Sequence, residues 1–300
     1  MPYASLQFGI EIELLLGGRK KAHSSWKSLA NDLSKRLTVA GIANHINDGG
    51  DKAVEHYREY SIVREVTIPN QLAKGLSTPL PLLSAELSAL AKAALYFEPA
   101  LDQLVPVDRR ASAAYWCQSN RASVGLGSLS LQECMAIVDA AVDLPVAPLG
   151  SGDSVESGRT RAVVGSMNLF PATSTYGRAH GKKHDFIRGK VYKWDFSRML
   201  PRPSASKGSN NNNTINLSQG TVEFRQPPGS RSAEDAKGWI TLVLALVAGA
   251  TRTTSWAPLG ATGVEGAKIG ELWALIVTGA SVLGWDGVGD ASAIFSKRTV

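Results

Sequence analysis

An α+β fold, with a mainly antiparallel sheet and helices packed on one side of it, is predicted from three observations on this 300-residue chain. Several segments alternate apolar and polar residues with the period of two that half-buries a strand. Others space their apolar residues by three and four, as a helix with one buried side does. With 44% hydrophobic residues the chain can bury a sizeable core, and the reading is a single domain over residues 1–300 with mobile insertions near 150–161 and 201–213.

The first strand is FGIEIELLL, in which Phe8, Ile10, Ile12, Leu14 and Leu16 share one side. Glu11 and Glu13 then stand on the other, about 7 Å apart. Taken alone this is a strand with a solvated acidic face; two neighbouring carboxylates on a rigid strand also call for a cation. A helix capped by Ser24 or Ser25 follows, with Trp26, Leu29, Leu33 and Leu37 on one side, ended by Gly41. Asn44 to Tyr57 reads as a loop or weak strand pair, and YSIVREVTI as a strand carrying Glu65 opposite Ile62, Val66 and Ile68. Asn70 to Pro81 has two prolines and no periodicity, and reads as a short connection.

The longest seam runs Leu83, Leu87, Leu90, Ala94, Phe97, Leu101 and Leu104. Pro99 is expected to kink or split that helix, and Pro106 to stop it. Val107 to Ser123 reads as a polar loop. Ser130 and Glu133 form a capping box for a helix that buries Leu131, Met135, Val138 and Val142. Gly150 to Arg161 has the composition of a linker. Met167 to Pro171 reads as a strand end, and KVYKWDF alternates Tyr192, Trp194 and Phe196 as a strand does. Pro201 to Asn213, with four consecutive asparagines, reads as disordered. TVEFRQPPG repeats the first strand's design: Val222 and Phe224 point inward, Thr221, Glu223 and Arg225 outward. In one sheet with the first strand it would make a carboxylate-lined floor. A helix capped by Ser232 covers the apolar run Trp239 to Ala250, and a last one covers Lys268 to Leu283.

Charge and cysteine content narrow the function classes. Nine Lys or Arg lie between Arg178 and Lys207 against Asp185 and Asp195, so that segment carries +7 and the rest of the chain −1. Such a segment suits an anionic ligand, or is a solvated loop. It is not interleaved with exposed aromatic residues in a recognisable module, which speaks against nucleic acid. The two cysteines give neither a disulfide framework nor a zinc pattern, and a cytoplasmic location is expected. No signal peptide is read at the N-terminus, and the Trp239 to Ala250 run is too short for a membrane span. His180 and His184 are spaced i, i+4, yet Gly177 and Gly181 argue against a helix there and favour a loop.

In combination, FGIEIELLL, SIVREVTI, ALYFEPALDQLVP, AYWCQSN, YGRAHG, KVYKWDF and TVEFRQPPG make the chain resemble the amidoligase family, from Phe8 to about Ala250. Its members are similar in fold to glutamine synthetase and glutamate–cysteine ligase. The resemblance implies a catalytic sheet whose glutamates hold Mg²⁺ on ATP, with an acid activated as an acyl phosphate and captured by an amine. It assigns Glu11, Glu13 and Glu223 to the metal, with Glu65 and Lys190 beside the nucleotide. Glu223, Arg225 and Arg178 become the catalytic candidates. Hard carboxylate oxygens suit Mg²⁺, and an Arg fork suits a phosphoryl or carboxylate group. The partners implied are a small-molecule carboxylate and an amine from an amino acid, peptide or protein side chain. The chain departs from the family after Pro69, where a strand with a glutamate before a Ser-Pro step and a strand with an H-x-H motif are expected. Those central strands are missing, and the ligase is expected to be impaired. A non-catalytic nucleotide- or anion-binding relic of the fold is the alternative, and a basic nucleic-acid-binding protein using the Arg178 to Lys207 segment ranks below it.

Overall fold

The computed structural model describes residues 14–15, 25–47, 60–64, 71–73, 84–143, 155–200, 221–230, 232–253 and 266–296. The chain divides into two compact units, Met1–Pro79 and Leu80–Val300. The architecture is α+β, mostly helical, with small and mainly antiparallel sheets.

The first unit holds β1 (Leu14–Leu15), α1 (Trp26–Val39), β2 (Asn44–Asn47), β3 (Tyr60–Arg64) and β4 (Gln71–Ala73) in a sheet of order β1-β4-β3-β2. Ser25 is the cap of α1, its hydroxyl accepting from the Ser28 amide at 3.2 Å. Gly41 follows the helix with φ +74°, the left-handed conformation in which glycine carries no Cβ penalty. Ala30, Leu33 and Leu37 pack with Ile46 of β2. Strands β1 and β3 pair antiparallel to β4, whereas β2 and β3 run parallel in register Asn44↔Tyr60. Strand β4 corrects the reading of Asn70 to Pro81 as a mere connection. Three residues suffice because β4 is hydrogen-bonded on both edges, a stabilisation that local periodicity does not report.

The second unit is built around α2 (Ser84–Tyr96). Leu87, Leu90, Ala91, Ala94 and Leu95 are all buried, so the helix is apolar around most of its circumference. Such a helix belongs at the centre of a core. It packs on α4 (Leu131–Asp143), α5 (Val155–Asn168) and α7 (Ala233–Arg252). Pro99 splits the seam as expected: α2 stops at Tyr96, and α3 (Glu98–Asp102) restarts with the proline in its first turn, where no amide is needed. Ser130 and Glu133 form the expected box, with the Ser130 amide donating to Glu133 at 2.7 Å and the Glu133 amide to the Ser130 hydroxyl at 3.3 Å. Ser232 caps α7 through the Asp235 amide at 3.2 Å.

Helix α8 (Ile269–Val282) lies against α7 at unusually short range. A Cβ on Gly279 would stand 1.7 Å from the Ala245 carbonyl oxygen, so only glycine admits this crossing. Helix α9 (Ala291–Ser296) closes over α7, and Phe295 meets Trp273 edge-on at 4.8 Å.

One element replaces an expected linker. Residues 155–161, inside the Gly/Ser-rich stretch, form the first half of α5. Buried Val163, Val164 and Met167 hold the helix onto the core. Glu156 accepts from the Ser84 amide and, at 3.0 Å, from the Ser84 hydroxyl, capping α2. Tertiary contacts supply what the composition lacks. Pro201 to Asn213 lies outside the described residues.

Candidate functional site

Two short ribbons complete the second unit. Strand β5 (Leu169–Phe170) pairs with β6 (Phe186–Ile187), and β7 (Trp194–Asp195) pairs with β8 (Glu223–Phe224), each antiparallel. Trp194 and Phe224 stack at 4.2 Å, with Trp239 of α7 beyond Phe224 at 6.5 Å. The expected inward direction of Phe224 follows from this apolar stack.

The other edge of β7 is held by two buried asparagines rather than by a strand. Asn120 donates to the carbonyls of Met167 and Trp194 at 3.0 and 2.9 Å and accepts from the Trp194 amide at 3.0 Å. Asn168 donates to the Trp194 carbonyl at 3.1 Å and accepts from the Phe196 amide at 2.9 Å. A carboxamide carries the donor and acceptor of a peptide group, so these side chains stand in for a neighbouring backbone. Asn120 comes from the segment read as a polar loop, which instead folds as 3-10 turns at Val107–Arg109 and Asn120–Ala122.

Between Tyr192 and Trp194, both in the core, Lys193 is itself fully buried. Strand alternation would place it toward solvent. Its ammonium instead donates to Glu98 at 2.9 Å and Asp102 at 2.5 Å, acids one turn apart on α3. Ser119 donates to Glu98 at 2.8 Å, the Ala111 amide to Asp102 at 2.7 Å, and Gln226 also donates to Asp102. Burial pushes the Glu98 carboxyl above its ordinary range, and the Lys193 charge only partly opposes this. Sequence reasoning missed this cluster. Its one local signal is two acids at i, i+4 inside an apolar helix, ALYFEPALDQL.

The Glu223 and Arg225 side chains share a face of the ribbon, as expected, and form an ion pair. Arg198 stands 3.9 Å from the second Glu223 oxygen. The Arg225 amide donates to the Lys193 carbonyl at 2.8 Å, and Arg109 donates to the carbonyls of Arg225 and Pro227 at 3.3 and 2.6 Å. The Arg225 Nε is buried and makes no hydrogen bond among the described residues. A guanidinium donor left over beside a carboxylate is suited to an anion. Next to this network, Glu98, Asp102, Ser119, Arg121 and Leu126 line a cavity of about 380 Å³. Cys117 is buried close by, and burial raises its thiol pKa, so it is not a thiolate nucleophile near neutral pH.

The remaining candidates are dispersed. Arg178 is exposed on α6 (Thr175–Ala179) and donates to the Thr173 carbonyl. Lys190 is exposed with φ +63°, its amide donating to Asp195 at 3.0 Å, which makes it a turn residue. Gly177 itself lies inside α6, where a Cβ would meet the Ala172 carbonyl at 2.2 Å, but the helix ends at Ala179, before the two histidines, which stand on a loop as expected. His180 and His184 are exposed, and His180 lies 4.1 Å from the Tyr176 ring.

Glu11, Glu13 and Glu65 lie outside the described residues. Among those described, β8 pairs only with β7, separately from the sheet containing β1. No group of three or more His, Cys, Asp or Glu converges among them. Glu223, engaged by two arginines, therefore does not by itself make a Mg²⁺ site. Two guanidinium groups beside one carboxylate leave the Glu223, Arg225 and Arg198 cluster with one net positive charge. No described helix is long and apolar enough to cross a membrane. No family model, curated protein or solved structure matches the chain.

Proposed function

We propose that this protein is an ATP- and Mg²⁺-dependent carboxylate–amine ligase of the amidoligase type, slowed by its shortened middle. The observation that carries the reading is the Glu223–Arg225 ion pair, formed between β8 and the residue that follows it, beside Arg198 and backed by the buried Lys193 network. In this chemistry an acid carboxylate takes the terminal phosphoryl group of ATP. An amine then attacks the acyl carbon and releases phosphate. Both steps gather negative charge on oxygen, which a guanidinium fork stabilises as it develops. Arg225 fills that role, Glu223 orients its fork, and Lys193 holds β7 and β8 in place through α3. ATP and Mg²⁺ enter with the family resemblance.

The ion pair also favours a second reading. A Glu223 carboxylate occupied by Arg225 and Arg198 suits a protein that binds an anion or nucleotide without turning it over. ADP release measured over a panel of acids and amines separates the two. Release that requires both an acid and an amine supports the ligase; nucleotide binding without such release supports the relic. A version carrying a family-typical insert after Pro69 should release ADP faster, and equal rates would show that the central strands are dispensable.

A further inference from the structure

Five cations lie between Tyr176 and Val191 (Arg178, Lys182, Lys183, Arg188 and Lys190), with Asp185 as the only acidic residue among them. Asp185 accepts from the Ala172 amide at 2.9 Å. The fold interleaves this basic stretch with aromatic rings, which its sequence does not suggest. The Arg188 guanidinium lies over the Tyr176 ring and within 5.6 and 5.8 Å of the Phe170 and Tyr115 centroids. Lys182 stands over Phe186 at 5.0 Å, and Arg109 over Trp116 at 4.4 Å. Contacts at 6.2 to 6.5 Å join Tyr115 to Phe170, Phe170 to Tyr176 and Tyr176 to Phe186, a run of rings anchored on the buried Phe170. Tyr115 and Trp116 are 48% and 38% exposed, and Lys182, Lys183 and His184 are exposed as well. The Arg188 Nε is buried without a hydrogen-bond partner among the described residues. A buried donor of this kind is costly unless an acceptor reaches it.

We propose that this face binds single-stranded nucleic acid, with unpaired bases stacking on Tyr115 and Trp116 and phosphates held by Lys182, Lys183 and Arg188. Alternating rings and cations match a strand that alternates bases and phosphates. A paired duplex hides its base faces and would use only the cations. An acidic peptide or anionic membrane would likewise need the charges without the stacking.

The test is fluorescence anisotropy of a labelled oligothymidylate titrated with the full chain at several salt concentrations. Binding is expected to weaken with salt. Lys182→Ala combined with Lys183→Ala should lower the slope of log affinity against log salt by about 1.4. Tyr115→Ala and Trp116→Ala should each weaken binding roughly fivefold to a hundredfold. Both residues are surface-exposed, and unchanged circular dichroism would show that the fold survives. The proposal is overturned if the oligonucleotide does not bind at low salt, or if the ring variants bind as the parent does. Equal affinity for a duplex of the same length, or binding confined to polyglutamate or phosphatidylserine vesicles, overturns it as well. This assay reads binding without turnover, so its outcome is independent of the ligase reading.

Discussion

At the residue scale, Lys193 shows how far a single side chain can depart from local pattern. In KVYKWDF the alternation of Tyr192, Trp194 and Phe196 is legible and correctly marks core residues, yet Lys193 between them is equally buried. Its partners Glu98 and Asp102 lie far away in sequence, so no window around the strand contains the reason. Removing one member of a buried ion cluster leaves the others uncompensated, and Lys193→Met is expected to cost about 3–5 kcal/mol in chemical denaturation. Glu98→Gln in that background should recover part of the loss. The pH dependence has a definite sign. Because native Glu98 holds its proton to higher pH than the unfolded chain, it binds more protons than the unfolded state above the ordinary value of 4.5. Its contribution is fully present below that value and is lost as pH rises through the raised folded pKa. Glu98→Gln should flatten that fall in melting temperature, and an unchanged profile would mean that another group titrates.

Elements were legible where the signal is local. Ser25, Ser130 and Ser232 cap the helices expected of them, and Pro99 breaks the long seam. They were not legible where partners decide. Strand β4 exists through pairing on both edges, α5 through its buried side, and the free edge of β7 through Asn120 and Asn168. The α7–α8 crossing gives a direct test of packing against propensity. Gly279→Ala forces a methyl into the Ala245 carbonyl and should destabilise by about 1–3 kcal/mol or more, despite alanine's better helix propensity. Gly270 also lies in α8 but has open space around it, and Gly270→Ala should stabilise by up to about 1 kcal/mol. Equal effects of the two substitutions would contradict the close crossing.

At the scale of the whole molecule, the buried core of Leu87 through Ile294 draws, among the described residues, only on the second unit. A fragment spanning residues 80–300 is therefore expected to melt cooperatively with its helices intact, and an unfolded fragment would contradict that independence. The mixture of strands and helices was readable from periodicity, while the distribution of strands over several small sheets was not, because sheet membership depends on distant pairing. For the candidate site, the shared face of Glu223 and Arg225 follows from their spacing in TVEFRQPPG. The Lys193 network behind it does not. The central claim is that Arg225 serves a bound anion rather than the fold. Calorimetric titration of Mg²⁺-ATP into the parent chain and into Arg225→Lys, with melting temperatures of both, tests it most directly. Arg225→Lys replaces a fork by a point charge, and the expected result is roughly tenfold weaker binding with a nearly unchanged melting temperature. A large drop in melting temperature with unaltered binding would show instead that Arg225 is a structural partner of Glu223.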